Sequence, residues 1–305
     1  MHEIIEIYRS DNVRVQANTI QPRSDTIVVT FAHWHPTEQS LEGKGFAEDF
    51  IASLGFDCLC FKCATNAWWL YEDMPKAIGI AANFLSGWPH VLTYGSSMGG
   101  YAAIRFAASL GAEKAIAISP QYSIDPGKMP TENRWAKERQ EISFELESTI
   151  QKSSNCSYIA IYDPLFSMDA LHVCQLAKSL TIDRLGFPVS GHPAIEGLLD
   201  AGATRSVITE IMSGTFDPPA ARRRLRAARR SSPRYWLELS FRCQEHGHFE
   251  WALSAALAYA AMAPDAVQAY RWAFARAGQM SISIHDTLLD DLDEPLRIAA
   301  AAALE

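Results

Sequence analysis

The sequence predicts an α/β fold: a mainly parallel, doubly wound sheet with a small all-α region at its C-terminal end. Three observations predict it. Short β-rich apolar runs alternate with helical patterns over the first two thirds of the chain. Those runs are largely apolar, as expected of parallel strands covered on both faces. Beyond about residue 215 the sequence turns purely helical.

In chain order, residues 4–9 and 13–17 read as an antiparallel hairpin at one sheet edge. Residues 26–32 (Thr-Ile-Val-Val-Thr-Phe-Ala) open the parallel part, followed by a helix over 46–54 and a strand over 57–61. A helix over 74–85 leads to a strand over 90–94, and a helix over 100–110 is stopped by Gly111. Strands over 114–119 and 157–162, a helix over 170–180, the apolar run Leu185-Gly186-Phe187-Pro188 and a helix from about Ala194 complete the set. In such a sheet, function is expected at the carboxyl ends of the strands.

Between residues 120 and 157 the alternation stops. Asp125-Pro126-Gly127, Pro130 and an amphipathic stretch over 135–150 replace it, an insertion long enough to cap a site. Residues 1–215 are therefore expected to form the catalytic domain. Residues 216–298 form a helical region, in which Trp236, Leu239, Gly247, Phe249, Ala252 and Pro264 fall at the offsets of a tetratricopeptide hairpin and Tyr270 begins a second unit. One repeat cannot bury its own face, so this hairpin is expected to pack on the catalytic domain, a second copy or a protein partner. Residues 299–305 read as a tail resembling a cloning remnant.

At 305 residues, 48% hydrophobic and 20% charged, the chain can bury a large core. No run approaches the roughly 18 apolar residues of a membrane span, and the first residues lack a basic-then-apolar signal, so a cytoplasmic location is expected. A net charge of −8 argues against a general nucleic-acid surface, and Arg222, Arg223, Arg224, Arg226, Arg229, Arg230 and Arg234 read as a solvated connector. Six cysteines in so large a chain read as free thiols. Cys58, Cys60 and Cys63 lack a second ligand pair for zinc, and His33 with His35 has no carboxylate cluster nearby, so no metal is expected.

The chemistry is carried by Gly95-Ser96-Ser97-Met98-Gly99, a G-x-S-x-G segment between a strand and a helix. Such a turn lifts the Ser97 hydroxyl off the sheet and leaves the Met98 N–H free to donate to an oxyanion. Serine needs an imidazole to take its proton and a carboxylate to orient that imidazole. Of nine histidines, His192 in Val189-Ser190-Gly191-His192-Pro193 is best placed, in a loop at a strand end. Asp163, ending the strand over 157–162, is the favoured acid. Asp169, placed to cap the following helix, is the alternative.

The order serine, acid, histidine around G-x-S-x-G resembles the α/β-hydrolase superfamily over about residues 20–210. More narrowly, Gly95-Ser96-Ser97-Met98-Gly99-Gly100-Tyr101-Ala102-Ala103, Ser119-Pro120-Gln121, Tyr162-Asp163-Pro164 and Gly191-His192 are similar to a bacterial hydrolase group. The resemblance implies Ser97 as nucleophile, His192 as base then acid, and Asp163 as orienting carboxylate. It also implies a second oxyanion donor in Phe31-Ala32-His33-Trp34-His35-Pro36, from His33 or Trp34. Trp68 and Trp69, with Gln121 and Tyr122, are candidate pocket walls for a small-molecule acyl substrate. The function expected is hydrolysis of an ester or thioester without metal or organic cofactor. Acyl transfer by the same residues is the nearest alternative, and a non-catalytic interaction scaffold a further one.

Overall fold

In a computed structural model, which describes residues 2–37, 39–263, 272, 273 and 275, eight strands form one sheet. The N-terminal strands β1 (His2–Arg9) and β2 (Val13–Ile20) make an antiparallel hairpin. Then come β3 (Thr26–Phe31), α1 (Glu48–Ser53), β4 (Asp57–Cys63), α2 (Met74–Leu85), β5 (His90–Ser96) and α3 (Met98–Arg105). After β6 (Lys114–Ile118) the 120–157 insertion holds only one short α-helix, α4 (Ala136–Glu141), and a single 3₁₀ turn (Phe144–Leu146). β7 (Ser157–Tyr162), α5 (Ser167–Ser179) and β8 (Ile182–Gly186) follow.

The strand order is β1-β2-β4-β3-β5-β6-β7-β8, with β2 antiparallel to both of its neighbours and every later pairing parallel. All seven residues of β4, and every residue after the first in β3, β5, β6 and β7, are buried. Burial along nearly the whole strand is why these strands read as largely apolar runs. The sheet is of α/β-hydrolase type. From β4 the chain crosses over β3 to reach β5, so the strand order reverses between β3 and β5. A crevice at their carboxyl ends is where such a sheet binds its ligands.

The described residues fall into two compact units, one drawn from residues 2–188, 192–195 and 207–218, the other from 189–191, 196–206 and those described after 218. Helices α6 (Ala194–Asp200) and α7 (Thr204–Ser213) contribute residues to both. The second unit contains α8 (Pro218–Ala228), α9 (Pro233–Glu245) and α10 (Phe249–Met262). Helix α9 opens with Ser232 Oγ accepting the Tyr235 N–H at 3.2 Å and Pro233 in its first turn. Gly247, at φ +73°, turns the chain into α10, and Cys243, Ala252 and Leu253 form a small core with Leu239 and Leu257. Pro264, Tyr270 and the 299–305 tail lie outside the described residues. Among the described residues no helix is long and apolar enough to cross a membrane.

Candidate active site

Ser97 joins β5 to α3 with φ 53° and ψ −118°, a conformation a side chain adopts only under constraint. The constraint is visible in its neighbours. A Cβ on Gly95 would lie 2.2 Å from Gly99 O, and one on Gly99 would lie 2.4 Å from Phe31 O. Strand, turn and helix approach more closely than any side chain permits, and this forces the serine up and outward. The Ser97 N–H is fixed to Ile118 O at 2.8 Å, and its carbonyl accepts from Tyr101 N–H at 2.9 Å. Met98 opens α3, so its N–H has no acceptor within the helix and sits at the positive end of the helix dipole.

Ser97 Oγ stands 3.0 Å from His192 Nε2. On the far side of the ring, Nδ1 lies 2.8 and 2.9 Å from the two carboxylate oxygens of Asp169. A carboxylate accepts, so Nδ1 carries the proton and Nε2 is left to receive the serine's. Gln121 Nε2 donates to Ser97 Oγ at 3.2 Å, which directs the hydroxyl hydrogen toward His192. The imidazole is flanked by Trp135, at 5.7 Å between ring centroids, and by Phe166 at 6.0 Å.

Of the two candidate acids, the structure brings Asp169 to His192 Nδ1. Asp163 Oδ1 accepts the Leu165 N–H at 2.9 Å, while His192 Nδ1 faces Asp169. The reason is helix length. Helix α5 begins at Ser167 rather than near residue 170, so Asp169 occupies its first turn instead of capping it. Asp169 is fully buried. Burial works to raise its pKa, but His192, Arg134 and the Ser119 hydroxyl outweigh it and hold the carboxyl below its ordinary range.

Arg134, from the insertion, is a partner that sequence reasoning missed. Its Nη1 donates to Asp169 Oδ1 at 3.1 Å, its other nitrogens grip Glu132, and the guanidinium lies 4.3 Å from the Trp135 ring centroid. Glu132 in turn faces His172 Nε2 at 2.8 Å, while Tyr122 N–H donates to His172 Nδ1 at 3.2 Å. His172 is thus neutral, with its proton on Nε2. Charged residues in a Pro-rich insertion gave no spacing signal of this pairing.

Burial lowers the His172 pKa, with Glu132 pulling the other way. The sign follows directly: below about pH 6.5 the unfolded chain takes up a proton that the folded chain refuses, so stability falls as pH falls. The expected loss is up to about 1.4 kcal/mol per pH unit from this group. Thermal melts between pH 7.5 and 5.5 check it: His172→Gln should flatten the slope, and an unchanged slope would exclude His172 as its source.

The loop after β3 meets the first turn of α3, as the Gly99 to Phe31 O approach requires. Within it, Ala32 N–H is bonded to Phe61 O and His35 N–H to Asn66 Oδ1, both at 3.1 Å, which narrows the loop's donors to His33 and Trp34. Trp34 Nε1 also donates to Glu138 Oε1 of α4 at 2.6 Å, tying this loop to the insertion. Trp69 is buried, its ring meeting Phe31 at 5.3 Å and Phe61 at 6.3 Å, and it lines a pocket with Leu70, Tyr71 and Arg105. Trp68 is also fully buried, its ring meeting Trp135 at 4.9 Å, the ring that flanks His192. Tyr122 is held by its backbone, its N–H on His172 and its carbonyl accepting from Arg105 at 3.1 Å. Among the described residues no cluster of three or more His, Cys, Asp or Glu could hold a metal ion.

No protein-family model and no curated protein matches this chain. Among solved structures, it is similar in fold to the capsule O-acetyltransferase of Neisseria meningitidis serogroup A, at 16% identity and a TM-score of 0.49, over 68% of this chain and 94% of that one. An esterase of Pyrococcus furiosus is similar at 15% identity and a TM-score of 0.49, over 70% of this chain and 90% of that one. An α/β serine hydrolase without lid from Xanthomonas campestris is similar at 15% identity and a TM-score of 0.40, over 67% and 94%.

Proposed function

We propose that this chain is a serine hydrolase that cleaves a carboxylic ester or thioester through Ser97, His192 and Asp169. The observation that carries the reading is the unbroken run of hydrogen bonds from Ser97 Oγ through both imidazole nitrogens to a buried carboxylate. Ser97 Oγ adds to the carbonyl carbon as its proton passes to His192 Nε2. The Asp169 carboxylate keeps Nδ1–H in place and stabilises the imidazolium. The carbonyl oxygen becomes an oxyanion, received by Met98 N–H and by a loop N–H of His33 or Trp34. Collapse expels the alcohol or thiol, which takes the proton from His192. Water then gives its proton to His192, adds to the acyl-enzyme and releases the acid, restoring Ser97.

The residue 120–157 insertion acts as the cap, since Trp135 lies against His192 and Glu138 holds Trp34. The α9–α10 hairpin, tetratricopeptide-like in its spacing, serves as a docking surface outside the chemistry, and exposed Trp251 and Phe249 suit that use. The enzyme is read as cytoplasmic.

A fluorophosphonate probe tests the central claim. Wild type should be labelled once per chain and Ser97→Ala not at all. A folded wild type that resists labelling would sink the reading.

A further inference from the structure

Gln121 is 1% exposed, and its two polar atoms are unequally served. Nε2 donates to Ser119 O at 3.1 Å and to Ser97 Oγ at 3.2 Å. A carbonyl oxygen only accepts, so the atom facing Ser119 O is the nitrogen, and this fixes which way the amide points. Both of its hydrogens are then in use. Oε1, by contrast, is buried with no hydrogen-bond partner.

The oxygen and nitrogen of one amide are about 2.3 Å apart, which keeps Oε1 within about 5.5 Å of Ser97 Oγ. Atoms a few bonds from a carbonyl carbon under attack by Oγ lie in that range. A buried amide oxygen left unpaired costs stability, and a substrate that supplies the missing donor recovers that cost on binding. An alkyl group of the same shape cannot.

We propose that Gln121 Oε1 is a specificity determinant that accepts a hydrogen bond from a hydroxyl or amide N–H carried by the substrate within a few bonds of the scissile carbonyl. The inference rests on the serine-hydrolase reading and narrows it: the preferred substrates are hydroxylated or amide-bearing esters rather than plain alkyl esters. Holding Ser97 Oγ through its nitrogen, the same side chain couples recognition to the reacting atom.

Two isosteric pairs test this and separate the two sides of the ester. On the acyl side, 4-nitrophenyl 2-hydroxypropanoate is compared with 4-nitrophenyl 2-methylpropanoate. On the alcohol side, 2-hydroxyethyl acetate is compared with propyl acetate. Each kcat/KM is divided by that ester's own hydroxide-catalysed rate. In at least one pair the hydroxylated member should be favoured about tenfold or more, and Gln121→Met, which keeps the shape but not the acceptor, should bring that ratio near unity. Smaller ratios in both pairs, a ratio that survives in Gln121→Met, or fluorophosphonate labelling with turnover of none of the four esters would overturn the proposal. Should Gln121→Met not fold, the wild-type ratios decide. Absence of both labelling and turnover would instead remove the hydrolase reading, and this inference with it.

Discussion

Asp169→Asn is expected to lower kcat for ester hydrolysis by about 10⁴-fold, while Asp163→Asn leaves it within about one order of magnitude. The asymmetry follows from which carboxylate faces His192 Nδ1. Asp169 accepts from His192 Nδ1 with both oxygens at 2.8 and 2.9 Å. An asparagine there turns its NH₂ or its oxygen to the ring, and the NH₂ orientation forces the proton onto Nε2, where it faces Ser97 and can no longer receive the serine's hydrogen. Asp163 instead accepts the N–H of Leu165 at 2.9 Å, a bond that shapes the loop entering α5. Steady-state kinetics on one activated ester, with thermal melts to confirm that both variants fold, would decide. Equal losses in the two variants would remove Asp169 from the role proposed for it.

The second large effect is on the backbone. Gly95→Ala and Gly99→Ala should each destabilise the fold by about 3 kcal/mol or more, because the new methyl group meets main-chain atoms at 2.2 and 2.4 Å. A flexible side chain can swing aside; Gly99 O and Phe31 O belong to a helix and a central strand and cannot. Gly111→Ala is a useful contrast, since nothing lies within 4 Å of its Cβ position and only its φ of +69° opposes the change. Denaturant melts should rank the first two well below the third. A Gly99→Ala protein as stable as wild type would mean that the turn is not as tight as described.

The sheet was legible in the sequence because its central strands are buried on both sides, which leaves no polar residue to interrupt runs such as residues 114–118 (Lys-Ala-Ile-Ala-Ile). The serine turn was legible for a related reason: two glycines at fixed offsets are the only residues the crowded junction admits. Element ends were less so. Helix α3 stops at Arg105 rather than Leu110, and α5 starts at Ser167, because turn residues at helix ends obey local hydrogen bonding that periodicity does not report. The Glu132–Arg134–Asp169 cluster was invisible, since a pairing across 35 residues leaves no imprint on local spacing.

The guanidinium of Arg134 reaches Asp169 from a stretch that holds only a short α-helix and one 3₁₀ turn. An engineer hoping to admit bulkier esters would be tempted to trim that excursion, as dispensable loops are trimmed elsewhere. Here the shears would also cut away the counter-ion of a sealed-in anion, whose remaining charge would have the imidazole as its main company. The Trp34–Glu138 bond, by contrast, can be given up while Arg134 stays where it is.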